Sequence, residues 1–308
     1  MTLQQLEYIL AVDSLRHFAK AAEQCLVTQP TLSAMIQKLE DELGVKIFDR
    51  SRQPVCPTPI GSCIIQQARE VLVQAAKIKN IIDEEQHSLS GTFCIGILPT
   101  IAPYLLPRFF PQLAKKYPQL DLRVSEMKTS DIKAALKTDE IDAGIVAGLD
   151  DMDNFIQTPL FYDQFFGYIS RDCSLFKNER IRTSEVAGQQ LWLLDEGHCF
   201  RDQLVRFCQL ETARAGRQAY RLGSMETFMR MVESGRGITF IPELAVLQLS
   251  DTQRELVRPF AVPVPTRRIV MLTNKNFIRT TLLATLCDEI RAAVPPAMLK
   301  LKGTQQVV

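Results

Sequence analysis

Ile64, Ala68, Val71, Ala75, Ile78 and Ile82 alternate steps of four and three along the chain. Apolar residues that repeat every seven positions form one continuous stripe on a helix. The stripe fills nearly all of the segment from Thr58 to Ile82, so a single long helix is expected there. Thr58 and Pro59 supply its cap and first turn. Such a seam either lies on its own domain or pairs with a second copy. Its uninterrupted length favours pairing. Residues 58–90 therefore read as a linker and dimerisation helix that ends at a hinge, His87-Ser-Leu-Ser-Gly91.

The residues before it, 1–57, show three shorter helical patterns. Residues 2 to 12 fit a helix capped by Thr2, with Leu3, Leu6, Ile9 and Leu10 on one face. A second is expected from about Leu15, burying Phe18, Ala21 and Ala22. After the connection Leu26-Val27-Thr28, Thr28 caps a third helix, and Pro30 suits its first turn. That helix places Leu32, Met35, Ile36, Leu39 and Leu43 on one face and Gln29, Thr31, Ser33, Gln37 and Lys38 on the other. Two short helices with a tight turn, the second showing amide and small polar groups, match a helix-turn-helix that reads base edges in a major groove. Lys46, Arg50 and Arg52 flank the alternating Val45 and Ile47, as in a β-wing that touches phosphates. Residues 1–88 hold nine Lys and Arg against eleven Asp and Glu, so any attraction to DNA has to come from local charge on the third helix and wing.

The 308 residues suffice for two or three domains, and a net charge of +1 proposes no partner. The start of the chain lacks a signal-peptide pattern, and no apolar stretch reaches membrane-spanning length, so a cytoplasmic protein with reduced thiols is expected. Its eight cysteines include no CxxC pair and no zinc spacing. A disulfide framework, a metal site and a cofactor are all unexpected.

From Thr92 the pattern becomes one of strands alternating with helices. Phe93–Leu98, Leu120–Met127 and Ile141–Val146 read as strands, and Pro103–Tyr117, Asp131–Lys137 and Thr280–Ala293 as helices, which predicts a mostly parallel sheet. Ligands in such sheets bind beyond the carboxyl ends of strands. Thr100 and Thr129 each follow one of the first two strands, so both hydroxyls belong to the same cleft edge.

The stretch Asp195-Glu-Gly-His-Cys-Phe-Arg-Asp202 sets Cys199 beside His198 and two residues from Arg201. A neighbouring cation favours the thiolate, the nucleophilic form of cysteine. Cys208 lies nine residues on and could capture a sulfenic acid as a disulfide. Residues 200–208 read as helical, with Phe200, Leu204, Phe207 and Cys208 on one face. Nine residues of helix rise by about 13 Å, whereas a disulfide requires Cα atoms about 4.4–6.8 Å apart. The pair cannot join across an intact helix, so redox chemistry here is coupled to refolding. Cys25, Cys94 and Cys287 occupy apolar positions and read as packing residues.

Longer runs carry a family resemblance. Phe18-Ala-Lys-Ala-Ala-Glu-Gln-Cys-Leu-Val-Thr-Gln-Pro-Thr-Leu-Ser33, Ile36-Gln-Lys-Leu-Glu40, Leu43-Gly-Val-Lys-Ile-Phe-Asp-Arg50 and Thr58-Pro-Ile-Gly61 resemble LysR-type transcriptional regulators. Leu136–Asp142 and Val232–Pro242 resemble their effector domains. Glu196-Gly-His-Cys199 with Cys208, Pro99-Thr100, Ile101–Pro107 and Thr129 closely resemble the peroxide-sensing members. The resemblance spans the whole chain. It implies an α/β regulatory domain of two subdomains, like a bacterial solute-binding protein, preceded by an all-α winged helix-turn-helix and the long linker helix. The expected limits are 1–57 for the DNA-binding domain, 58–90 for the linker and 91–308 for the redox-sensing domain. Within the last, subdomain I takes 91–161 and 267–308, and subdomain II takes 162–266.

The resemblance further implies that Cys199 is the peroxidatic thiol and Cys208 the resolving thiol, with Thr100, Thr129, His198 and Arg267 around the peroxide. The adjacent Arg268 is the alternative to Arg267. Promoter DNA, hydrogen peroxide, RNA polymerase and a glutaredoxin or thioredoxin reductant are the implied partners, and a homodimer assembling to a homotetramer is the implied state. Two other functions compete: a LysR-type regulator answering to a small metabolite in the cleft, and a thiol peroxidase. The cysteine pair speaks against the first. The DNA-reading and dimerising segments speak against the second.

Overall fold

The computed structural model describes residues 1–51, 53–85, 89–148, 152, 154–186, 188–194, 199–208 and 224–308. The chain forms two compact units, Met1–Glu85 and Gln86–Val308.

The first unit begins with α1 (Leu3–Leu15). Thr2 caps it in a box with Gln5, whose Oε1 accepts from the Thr2 N–H at 2.8 Å. Arg16 ends α1 in the left-handed region at φ 52°, and His17 accepts from Ala19 N to start α2 (Phe18–Gln24). The second helix therefore starts three residues later than its apolar pattern suggests, because two cap residues separate it from a longer α1. Thr28 caps α3 (Gln29–Leu43), Pro30 lies in its first turn, and Gly44 closes it at φ 71°. Ile9, Val12, Leu32, Ile36, Leu39 and Ile47 form the core between the helices. Leu43, assigned to the packed face by spacing, is 40% exposed on the last turn.

The wing is small. β1 (Phe48–Asp49) and β2 (Cys56–Pro57) pair antiparallel, just past the Val45–Ile47 alternation expected to form it. What holds it is Glu40, a carboxylate only 1% exposed on the inner side of α3. Glu40 Oε1 accepts from the backbone N–H groups of Ile47 at 2.8 Å and Phe48 at 3.2 Å. Its Oε2 faces Lys46 Nζ at 3.4 Å and Arg50 Nη2 at 3.3 Å. The recognition helix thus supplies the acceptor that shapes the turn into the wing.

Next comes α4 (Pro59–Glu85). Thr58 Oγ1 accepts from Gly61 N at 2.9 Å and donates to Lys46 O at 2.7 Å. Gly61 passes so near the Ile47 carbonyl that a Cβ there would sit 2.0 Å from its oxygen. The early part of the helix packs on its own unit, with Ile65 and Ala68 buried. The later part is different: Ile78, Ile81 and Ile82 are 66%, 56% and 52% exposed. The two ends of the helix thus differ: one packs on its own unit, and the other leaves its isoleucines open.

The second unit runs β3 (Gly91–Ile97), α5 (Ala102–Lys116), β4 (Leu120–Glu126), α6 (Thr129–Lys137), β5 (Ala143–Ala147) and β6 (Phe155–Ile169). It continues with α7 (Thr183–Val186), α8 (Cys199–Phe207), α9 (Met225–Glu233), β7 (Ile238–Pro242), α10 (Glu243–Val246), α11 (Asp251–Arg254) and β8 (Val257–Pro259). β9 (Val264–Asn274), α12 (Thr280–Ala293) and β10 (Gln305–Val307) complete it.

The strand order is β4-β3-β5-β9-β6-β7, with β8 also on β6 and β10 on β9. Among the described strands, β4-β3-β5 and the short β10-β9 pair are parallel, and β9 and β6 join antiparallel. The sheet is mixed rather than mostly parallel, because two long strands cross between layers. β6 pairs with β9 from Phe155 to Gln164, then with β7 and β8 from Phe165 to Ile169. These crossings connect two α/β subdomains, the arrangement of a solute-binding protein.

Removing the Glu40 carboxylate should loosen the wing without melting the helices. Glu40→Ala leaves the Ile47 and Phe48 N–H groups without their acceptor, at a cost of about 2–4 kcal/mol in total. Hydrogen exchange should accelerate at Ile47 and Phe48 and stay unchanged at Ile9 and Val12. Unchanged exchange at Ile47 would refute the account.

Candidate redox site and nucleic-acid interface

The parallel register of β3 and β4 sets Ile97 level with Glu126. Thr100 and Thr129 each lie three residues beyond those positions, at one end of the sheet. Both are buried, at 4% and 9% exposure. Thr129 is the first residue of α6, so the helix expected from Asp131 begins two residues earlier. Its Oγ1 has no hydrogen-bond partner among the described residues. A buried hydroxyl in that state costs about 1–3 kcal/mol, which a small polar molecule could recover.

Arg267 comes to the same place from β9. Its side chain is 1% exposed, as is that of Asp163 on β6, and the two residues face each other across the β6–β9 ladder. Arg267 donates to Asp163 Oδ2 through Nε at 3.1 Å and Nη2 at 2.9 Å. It donates to Thr100 Oγ1 through Nη1 at 2.9 Å and to Thr100 O through Nη2 at 3.0 Å. Burial pushes the Asp163 carboxyl above the ordinary carboxylate range, and the Arg267 charge pulls it back. Side chains alternate along a strand, so Arg268 points the other way, towards Gln157 Oε1 at 3.4 Å. Of the two candidate arginines, Arg267 is the one that meets Thr100. Asp163 escaped the sequence reading. Its signal was a lone acid inside the apolar run Leu160–Ile169, where a charge needs a partner.

Helix α8 closes the site. Cys199 is its first residue. The ring of the next, Phe200, lies 5.0 Å from the Arg267 guanidinium carbon and 4.8 Å from the Phe165 ring. Phe200, Leu204 and Cys208 are buried at 4%, 0% and 4%, so the expected apolar face is the packed one. Phe207 is half-buried and meets Phe260 edge-on at 6.4 Å. Cys208 N donates to Leu204 O at 2.9 Å, continuing the helical bonding to that residue. Cys208 is a free thiol, and burial pushes it up to about 12. Its nine-residue separation from Cys199 along α8 amounts to a rise of about 13 Å, far beyond disulfide reach. Gln203 donates to the Val308 main-chain oxygen at 2.8 Å. His198 and the remaining residues of 195–198 lie outside the described residues, as does Gln209.

On the first unit, Gln29, Thr31 and Lys38 are exposed and Ser33 and Gln37 half-buried along one side of α3. Gln37 donates to Asp41 Oδ1 at 2.6 Å. Arg50 donates to Ser33 Oγ at 3.1 Å and stacks 5.0 Å from the Phe18 ring centre. With its Glu40 contact, Arg50 braces the wing against α3 while staying 37% exposed. Arg52 lies outside the described residues.

Among the other thiols, Cys287 is buried within its unit's core, and burial pushes it up to about 11. No group of metal-ligating side chains occurs among the described residues. No described helix is long and apolar enough to cross a membrane.

Residues 3–62 match the model of the bacterial regulatory helix-turn-helix protein, lysR family, and residues 86–295 match the LysR substrate binding domain. A hydrogen peroxide-inducible genes activator of Dickeya chrysanthemi is 35% identical over 98% of this chain and 99% of that protein. A full-length OxyR variant from Pseudomonas aeruginosa superposes with a TM-score of 0.73 at 36% identity, covering 94% of this chain and 98% of that one. OxyR from Porphyromonas gingivalis is 50% identical with a TM-score of 0.67, covering 71% of this chain and 99% of that one. These matches place the chain among DNA-binding transcription regulators rather than enzymes. The chain belongs to the LysR family of bacterial regulatory helix-turn-helix proteins, among relatives named hydrogen peroxide-inducible genes activators.

Proposed function

We propose that this regulator senses hydrogen peroxide through oxidation of Cys199 and a disulfide with Cys208, and so changes its contacts at promoters of oxidative-stress genes. One observation carries the reading: α8 opens at Cys199, lays Phe200 on the buried Arg267–Thr100 cluster and ends against a buried Cys208. The name of the Dickeya relative points the same way.

In this reading the Cys199 thiolate attacks one peroxide oxygen. The S–O bond forms and the O–O bond breaks. The sulfur is oxidised by two electrons, and hydroxide leaves and is protonated to water. Thr100, Thr129, His198 and Arg267 surround the peroxide and stabilise the leaving oxygen. While α8 is intact, Cys208 is out of reach and protonated. Once α8 unwinds, the Cys208 thiolate attacks the sulfenic sulfur, forming S–S and releasing hydroxide. A strained disulfide of this kind is open to reduction by glutaredoxin or thioredoxin.

At the other unit, Gln29, Thr31, Ser33, Gln37 and Lys38 read base edges, and Arg50 and Arg52 hold phosphates. The exposed part of α4 pairs with a second copy, and dimers assemble to a tetramer that engages RNA polymerase from the cytoplasm. The domain limits 1–57, 58–90 and 91–308 belong to the same proposal.

Cys199→Ser should keep its fold and its DNA affinity but lose all change of promoter footprint with peroxide. A normal response in that variant would sink the proposal.

Cys208 should resist alkylation in the reduced protein while exposed Cys63 reacts, and should become reactive in Cys199→Ser only on unfolding. A thiol raised from 9.0 to about 12 binds its proton more tightly when folded. Its contribution to stability is complete below about pH 9 and is lost as pH rises towards about 12. Hydrogen exchange across 199–208 should rise when the disulfide forms. Equal protection in both redox forms would exclude refolding of α8.

Arg52→Ala should weaken binding at all sequences alike and reduce the salt slope by about one unit. Gln29→Ala should instead relax preference at particular base pairs. Competition binding on a randomised half-site checks both, and interchanged effects would reverse the assignment of helix and wing.

A further inference from the structure

We infer that Asp163 is a positioning residue for the peroxide reaction: by holding Arg267 it fixes Thr100 as a hydrogen-bond donor to the bound peroxide. The inference rests on Cys199 being the peroxide-reactive thiol, and it assigns a role to a residue outside that site's proposed contact set.

The argument starts from the direction of each hydrogen bond. A guanidinium can only donate. Thr100 Oγ1 therefore accepts from Arg267 Nη1, and the hydroxyl's own hydrogen is not used in that bond. The Thr100 carbonyl is taken by Nη2 of the same guanidinium. A threonine hydroxyl commonly turns back to a nearby main-chain carbonyl. Here the Thr100 oxygen accepts from Nη1 and its carbonyl from Nη2, so the O–H lies away from the guanidinium and is available to donate on the other side.

That control depends on the guanidinium not rotating. Asp163 Oδ2 grips its opposite edge through Nε and Nη2, at 3.1 and 2.9 Å. The grip comes from the second crossing strand, at the directly opposed position in the ladder. Phe200 and Phe165 flank the guanidinium, at 5.0 and 5.9 Å from their ring centres. Among the described residues, groups from β6 and α8 and the Thr100 oxygens thus surround the guanidinium.

The direction of the Thr100 hydrogen matters at one moment. As the O–O bond breaks, the departing oxygen becomes hydroxide. A donor aimed at it stabilises the developing charge, and an acceptor would oppose it. Asp163 also cancels the Arg267 charge, so the pair presents a directed donor without a net cation. The effect therefore falls on the leaving oxygen and not on the thiolate, which separates positioning from general support of the fold.

The test follows oxidation and alkylation of Cys199 by mass spectrometry in the full-length reduced protein. It compares wild type, Asp163→Asn, Thr100→Val and the double variant, with hydrogen peroxide and with iodoacetamide, from pH 6 to pH 9. Asp163→Asn should slow the peroxide reaction by at least about tenfold. Its reaction with iodoacetamide, which has no departing oxygen, should be no slower than that of wild type. The double variant should be no slower with peroxide than Thr100→Val alone, because Asp163 acts through Thr100. Equal slowing with both reagents, multiplied effects in the double variant, or an unchanged peroxide rate would each overturn the inference. Should Asp163→Asn not fold, Asp163→Glu retains the charge and displaces the guanidinium. A slowed peroxide rate there, with unchanged circular dichroism, supports the inference, and a wild-type rate overturns it. A wild-type Cys199 no faster with peroxide than exposed Cys63 would instead remove the sensing reading itself.

Discussion

A guanidinium at 1% exposure needs an acid against it, and Arg267 finds Asp163 on the neighbouring crossing strand. Breaking such a pair costs about 3–5 kcal/mol, because one charge is left buried alone. The pair therefore fixes the register in which β6 and β9 cross. It also decides where Thr100 can sit, since the same guanidinium binds that residue's hydroxyl and carbonyl. Phe200 then has a flat cation to cover, and the start of α8 is placed. The site is built outward from one ion pair, and each later contact uses a group the previous one has already oriented.

The same geometry sets how firmly α8 is docked. Its hold on the core comes from Phe200, Leu204 and Cys208, three buried side chains on one face. Burying an apolar side chain contributes about 1.5–3 kcal/mol, so the helix is docked by an amount comparable to what a covalent bond could offset. Gln203 adds a hydrogen bond to the Val308 main-chain oxygen at 2.8 Å. Docking of this strength is compatible with the refolding proposed for α8.

Local rules written in side chains were legible in the sequence. Thr2, Thr28 and Pro30 act where they were expected, and α12 has the predicted bounds Thr280–Ala293. The apolar face of α8 also followed from periodicity. What was not legible depends on partners far apart in the chain. The role of Glu40 requires knowing that the turn at Ile47 folds back onto α3. Arg50, read as a phosphate contact, is also tied to Glu40 and Ser33. The mixed sheet arises because β6 and β9 are long enough to serve two layers, and short apolar runs do not reveal strand direction. Asp163 was missed for the same reason: its meaning lies in a residue 104 positions away.

The two ends of α4 extend this contrast. Where the helix faces its own unit, Ile65 and Ala68 are buried, and its pattern is satisfied within one chain. Where Ile78, Ile81 and Ile82 stand open, the same pattern is unsatisfied. Three isoleucines within two turns make a contiguous apolar stripe, which water disfavours and a second identical helix would cover. A heptad seam read from sequence therefore does not tell how much of it a protein uses internally. Here the division falls near Leu72, the last residue of the helix packed against its own unit's core. Beyond it Ile78, Ile81 and Ile82 stand exposed, the part of the seam that the proposed pairing would cover.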